Sequence, residues 1–452
     1  MPVSFRTVTD LRPGDLLDLD VGNVANGGFC VARHEGRVVF VRHALPGEKV
    51  RARVTDVSKK FLRADAEEIV VASPDRVPAP CPFSGPGRCG GCDWQHAALP
   101  AQRALKATVI EEQLRRVAGI ERTVVVEEVP YPESDEFVPA PGLGWRTRVQ
   151  FSVDAGAVGL RKHRSHDVEP VDECLIAHPG VELMGIERRR WPGTASVEGV
   201  VSAATGDRVV VLRGKRSARV PRLDVPVRLV RGRPEPGTTV PFVREQVRDR
   251  LFQVTGGGFW QVHPGAAPLL VDAVLDALEP KPGDVVVDLY CGAGLFTAFL
   301  GERVGSGGLV VGVESDGPAV RDARFNVRDL PQVSIERGAV EEVVGDLEFG
   351  RADGSSRTQN KRSGTGHRGG ARSGGADLVV LDPPRTGAGR EVVDHVAALA
   401  TRKIAYVSCD PATLARDLSY FGERGWTLES LRAFDAFPMT QHVELLATLV
   451  RG

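Results

Sequence analysis

The chain has 452 residues, enough for a sizeable core and, at about 150 residues each, for about three domains. Its 58 Lys and Arg against 59 Asp and Glu leave a formal net charge of −1, so no global basic field announces nucleic acid and any such contact falls to local patches. No run approaches about 18 consecutive apolar residues and the opening MPVSFRTVTDLRPGD lacks a secretory core, so a cytoplasmic protein is expected, whose seven cysteines point to metal or catalysis before disulfides.

From about residue 14 to 72 short apolar and polar runs alternate, as in GRVVFVRHALPGEKVRARVTDVSKKFLRADAEEIV, with turns at Asn26-Gly27-Gly28 and Pro46-Gly47. This pattern predicts a small antiparallel barrel of the kind that often binds oligonucleotides. Lys49, Arg51, Arg53, Lys59, Lys60 and Arg63 are its candidate RNA face, with an ordinary solvated surface as the plain alternative. The loop SPDRVPAPCPFSGPGRCGGCDWQH follows and crowds Cys81, Cys89 and Cys92 together. A helix is expected over AQRALKATVIEEQLRRVAG, with Leu105, Val109, Leu114 and Val117 on its packing face.

From Trp145, WRTRVQFSVDAGAVGLRKHRSHDVEPVDECLIAHP reads as a hairpin and a loop ending with Cys174, and strand-like runs continue to about 240. Arg161, Lys162, His163 and Arg164 sit at the hairpin turn, where they can meet phosphates or simply water. Beyond about 260, helical stretches alternate with the apolar strands VVVDLYC, LVVGVES, DLVVLDPP and KIAYVSCDP, the order of a doubly wound, mostly parallel α/β sheet. Residues 351–376, rich in Gly, Ser and Arg, cannot bury a core and are expected to be a disordered insertion. The chain thus divides into a barrel over 1–73, a cysteine loop with a central β-rich unit over 74–255, and an α/β unit over 256–452.

The chemistry concentrates in that last unit. Gly292 and Gly294 let the backbone after Asp288 turn sharply beside a helix start, as in loops that bind S-adenosylmethionine. Glu314 ends the next strand, where a carboxylate can take both hydroxyls of a ribose or merely face solvent. Asp382-Pro383-Pro384-Arg385 follows a third strand, with Arg385 where amino-group methyltransferases carry an aromatic residue. Cys409 stands between a strand and a helix opened by Asp410 and Pro411, a placement expected to favour the nucleophilic thiolate through the helix dipole. Carbon 5 of uracil is too electron-poor to attack a sulfonium methyl until a thiolate adds at carbon 6. Afterwards a base must remove the proton at carbon 5, and Glu444 in HVELL is the candidate.

Together the barrel, CPFSGPGRCGGCDWQH, GLRKHRS with Cys174, FWQVHP, DLYCGAG, DPPR, SCDP and HVE resemble the RNA 5-methyluridine methyltransferase family in its iron–sulfur form with an N-terminal TRAM barrel. The resemblance covers nearly the whole chain. It implies an OB-like TRAM barrel, a central β-rich RNA-binding domain and a C-terminal Rossmann-like methyltransferase domain. It implies Cys409 as nucleophile and Glu444 as base, and Gln261, Tyr290, Glu314 and Asp382 as residues that hold S-adenosylmethionine. It also implies Cys81, Cys89, Cys92 and Cys174 as ligands of a [4Fe-4S] cluster, although four thiolates suit zinc as well. The expected partner is RNA, with 23S ribosomal RNA favoured over transfer RNA, and the expected protein is a monomer without a membrane partner. A non-catalytic RNA-binding or assembly factor, and a methyltransferase acting on cytosine carbon 5 or a base amine, are the rivals.

Overall fold

The computed structural model describes residues 11–132, 137, 139–215, 218–232, 240–352, 355–360 and 373–452. The N-terminal alternation becomes a five-stranded sheet ordered Leu16–Asp20, Lys49–Val57, Phe61–Val71, Arg37–Arg42 and Cys30–His34. In Lys49–Val57 the inward residues Val50, Ala52 and Val54 are buried, while charged neighbours face out, as period-2 geometry requires. Trp94 of the cysteine loop and Leu105 and Val109 of the helix Leu99–Gln113 complete this core. After Gln113 the helix widens into a π-turn, Leu114–Ala118, closed by Gly119 at φ 68°. The wider turn swings the last expected apolar position outward: Leu114 is buried, but Val117 is 43% exposed.

The central unit is a six-stranded sheet ordered Arg228–Arg231, Arg208–Gly214, Thr194–Val201, Arg148–Asp154, Ala157–Arg161 and Val168–Pro170. Trp145, Phe151 and Trp191 anchor its core, which also takes in Cys92 and Cys174. The cysteine loop is therefore shared, with Trp94 in the barrel core and Cys92 in the central one.

The C-terminal unit is an eight-stranded sheet ordered Val333–Arg337, Leu309–Glu314, Val285–Leu289, Ala376–Leu381, Ala400–Ser408, Glu444–Arg451, Trp426–Asp435 and Val126–Glu128. The first five strands are parallel, and Glu444–Arg451 runs antiparallel between its neighbours. Helices Ala266–Leu278 and Leu295–Val304 pack on one face, and Gly389–Leu399 and Pro411–Glu423 on the other. That double cover explains why Val285–Leu289 is buried throughout, as parallel strands between two helical layers are.

Two connections tie the preceding segment to this sheet. Val126–Glu128 adds the eighth strand, parallel to Trp426–Asp435. The ribbon Phe242–Val247 and Arg250–Thr255 is bonded to the helix Gly317–Asn326, with the Thr255 amide donating to Asp322 at 2.7 Å and Asn326 donating to the Gln253 carbonyl at 2.9 Å. Within the interval 351–376, strand Leu347–Ala352 pairs with Ser355–Asn360, whereas 353–354 and 361–372, on which the expectation of disorder mainly falls, lie outside the described residues. Among the described residues no helix is long and apolar enough to cross a membrane.

Candidate active site

Cys409 and Glu444 meet through strand register. Ser408 pairs with Leu445 across the antiparallel strands, so the residues one step outward, Cys409 and Glu444, face each other at the end of the sheet. Asp382 leaves the neighbouring strand just beyond Leu381, the partner of Tyr406, and its amide donates to the Leu289 carbonyl at 3.2 Å. The loop after Asp382 is braced from below by Asp417, whose buried carboxylate accepts from Tyr406 Oη at 2.7 Å and from the Ala388 and Gly389 amides at 2.8 and 3.3 Å. Gly387, at φ 75°, runs so close to this brace that a Cβ would lie 2.6 Å from the Asp417 carboxylate. Arg385 from the same loop reaches His442 Nε2 at 3.4 Å.

The electrostatics correct the expectation of a thiolate at rest. Burial first, then the carboxylates of Glu444, Asp382 and Asp410, push the Cys409 thiol up to about 11, and Arg385 opposes them. The helix dipole does not rescue the thiolate, because Asp410 already caps the helix: its Oδ1 accepts from the Ala412 and Thr413 amides at 3.0 and 2.9 Å. Burial, and next Asp382, likewise raise Glu444 well above the ordinary carboxylate range, again against Arg385. Burial lowers His442 to about 3, leaving a neutral imidazole near neutral pH. Arg385, His442 and Asp417 were not among the expected site residues. Asp417 had left a signal: it sits on the apolar stripe of Leu414, Leu418 and Phe421, where a carboxylate needs a buried partner.

Three of the expected donor-binding residues gather at one end of the sheet. Glu314 Oε1 accepts from the Asp316 amide at 2.7 Å and the Ser315 hydroxyl at 3.4 Å, while Oε2 accepts from the Gly292 amide at 3.0 Å and keeps a further lone pair. Asp288, wholly buried, is bonded by Thr297, but its Oδ1 has no partner among the described residues. Burial pushes Asp288 and Asp382 each to about 7, with Asp382 and Glu314 adding to the effect at Asp288. Tyr290, at φ 62°, follows Asp288 on the same strand end. Gln261 lines a cavity of about 320 Å³ with Thr147, Glu245 and Trp260, and among the described residues no hydrogen bond or ion pair joins it to these carboxylates. An unpartnered buried acceptor beside a glycine turn and a strand-end carboxylate fits a nucleoside-bearing donor.

Cys81, Cys89, Cys92 and Cys174 line a single cavity of about 440 Å³ between the loop and the central sheet. All four are free thiols. The Ser84 and Ala177 amides donate to the carbonyls of Cys81 and Cys174 at 3.1 and 2.8 Å, and the Gly91 amide donates to the Cys89 sulfur at 3.4 Å. A donor to sulfur matters most when the sulfur carries charge, as in a metal thiolate. As bare thiols all four are raised by burial, Cys174 to about 12. Among the described residues, however, no three His, Cys, Asp or Glu side chains are arranged to hold a single metal ion.

Known proteins carry the same layout. Residues 242–451 match the family model described as tRNA (Uracil-5-)-methyltransferase, and residues 11–66 match the TRAM domain. A Streptomyces coelicolor protein named an uncharacterized RNA methyltransferase is 50% identical over 449 residues, 96% of this chain and 93% of that one. A protein of the same description from Corynebacterium efficiens is 34% identical over 454 residues, 98% of this chain and 96% of its own. The fold is similar to the crystal structure of Pyrococcus abyssi tRNA (uracil-54, C5)-methyltransferase in complex with S-adenosyl-L-homocysteine, at TM-score 0.66 and 23% identity over 96% of this chain and 100% of that one. The chain belongs to the TRAM-bearing RNA (uracil-5-)-methyltransferase family.

Proposed function

We propose that the protein methylates carbon 5 of a specific uridine in RNA, with 23S ribosomal RNA as the substrate, through a covalent cysteine–pyrimidine intermediate. The observation that carries this reading is the register placing Cys409 opposite Glu444 beside the donor-end carboxylates. S-adenosylmethionine, held by Glu314, Asp382 and Tyr290 and, from the central side, by Gln261, supplies an electrophilic methyl carbon. Cys409, as thiolate, forms a bond to carbon 6, and the electron pair of the 5,6 double bond moves to carbon 5. That pair forms the bond from carbon 5 to the methyl carbon as the S–CH3 bond breaks, its electrons staying on sulfur to leave S-adenosylhomocysteine. Glu444 then removes the proton left on carbon 5, the double bond re-forms, and the bond to Cys409 breaks. Arg385 is the cation that favours ionisation of both groups. The target base must leave its stack, at a cost of a few kcal/mol, least in a loop.

Cys81, Cys89, Cys92 and Cys174 would hold a [4Fe-4S] cluster, which ties the loop to the central sheet. The shared lining of one cavity by the four thiols supports this reading, and four thiolates would suit zinc as well. The test is methyl transfer from labelled S-adenosylmethionine to ribosomal and transfer RNA transcripts, followed by nucleoside analysis. 5-Methyluridine in ribosomal RNA is expected. The same product in transfer RNA alone would reassign the substrate, and a different methylated nucleoside would overturn the mechanism.

A further inference from the structure

The segment Cys92–Gln95 works in two directions. Cys92 and Gln95 line the cysteine cavity, where Gln95 Oε1 accepts from the Cys81 amide at 3.0 Å. Asp93 and Trp94 turn the other way and grip the loop Phe437–Val443 that leads into Glu444. Both of their amides donate to the Met439 carbonyl at 3.0 Å, and Asp93 Oδ2 accepts from the Gln441 amide at 3.1 Å. Gln102 closes the clamp, since its Oε1 accepts from the Met439 amide at 2.8 Å while its Nε2 donates to the Trp94 carbonyl at 3.1 Å. Arg42 of the barrel stands 3.6 Å from the other Asp93 oxygen.

Met439 lies at φ 68° with its side chain buried. A bulky residue holds a left-handed conformation only where its surroundings over-determine it, and such strain collects at functional sites. Three residues further on is His442, which meets Arg385, and two beyond that is Glu444. The conformation of Met439 therefore sets the direction from which both side chains enter the site.

We propose that the cysteine cavity and the base of the reaction are mechanically coupled: a filled cavity fixes the Asp93–Trp94 clamp, and the clamp holds Met439–His442 so that Glu444 faces Cys409. Asp93 is thus a positioning residue. The coupling rests on reading the four thiols as metal ligands and Glu444 as the base. The donor end of the sheet, built on other strands, stands outside it.

Amide hydrogen exchange on the full-length protein tests this, with iron and zinc measured on the same samples. Removing the metal with a chelator should raise exchange across residues 437–445 by about tenfold or more, while Val285–Leu289 stays protected. Asp93→Ala should show the same loosened loop with its metal retained. Asp93→Asn, whose side-chain oxygen still accepts from the Gln441 amide, should restore protection. Metal-loaded Asp93→Ala should also lose kcat, with KM for S-adenosylmethionine unchanged. Equal protection of 437–445 in loaded and stripped protein would overturn the coupling and leave the metal reading standing. A protein that takes up neither iron nor zinc would overturn both.

Discussion

Among the described residues Arg385 is the cation that opposes the carboxylates around Cys409, so removing it should make the thiol less reactive. With the thiol at about 11, the thiolate fraction at pH 8 is on the order of one in a thousand. Two unit charges 4 Å apart interact by about 4 kcal/mol near a protein surface and about 1 kcal/mol in water. Arg385 is exposed, so screening places its effect near the lower figure, roughly 1.4 kcal/mol or one pKa unit. Arg385→Gln should therefore raise the thiol pKa and slow iodoacetamide alkylation at pH 8 by about tenfold. Arg385→Lys, which keeps the charge, should recover most of the rate. The tryptic peptide spanning 404–416 contains Cys409 as its sole cysteine, so mass spectrometry reads this thiol apart from the other six. An unchanged or faster rate in Arg385→Gln would refute the electrostatic account of the site.

Glu444→Gln should still add Cys409 to the pyrimidine and accept the methyl group, but not release product. A denaturant-stable adduct with unmodified RNA should accumulate while turnover falls by about 10²–10⁴-fold, and near-parental turnover without adduct would remove Glu444 as the base. Asp410→Ala strips the helix cap, which should cost about 1 kcal/mol in urea unfolding. The same change should speed alkylation of Cys409, because Asp410 raises that thiol. Lys106 and Asp435 form a buried pair, with side chains 0% and 2% exposed. Lys106→Met leaves Asp435 uncompensated and should destabilise by about 3–5 kcal/mol, whereas the double change Lys106→Met with Asp435→Leu should recover most of that loss.

The glycine turn after Asp288, the strand-end Glu314, the Asp-Pro-Pro loop and Cys409 were legible because each sits at a junction that local periodicity marks. Their convergence follows from one rule, that parallel strands deliver their carboxyl ends to one edge. The facing of Cys409 and Glu444 was not legible in that way. It depends on Glu444–Arg451 inserting antiparallel beside Ala400–Ser408, a register set by long-range pairing. The state of the thiol was not legible, because it depends on burial and on the carboxylates of Glu444 and Asp382 that the fold brings up, and on Asp410 capping the helix start. Val126–Glu128 carries too short a pattern to mark a sheet edge. The bond between Asp93 and Gln441 joins residues 348 apart, beyond the reach of any local signal.

The central claim is thiolate addition by Cys409, and 5-fluorouridine tests it most directly, because fluorine at carbon 5 cannot leave as a proton does. The protein, S-adenosylmethionine and ribosomal RNA transcribed with 5-fluorouridine should give a protein–RNA adduct that survives denaturation, and Cys409→Ala should give none. An adduct in Cys409→Ala, or none from the parent protein on an RNA that it methylates, would contradict the account.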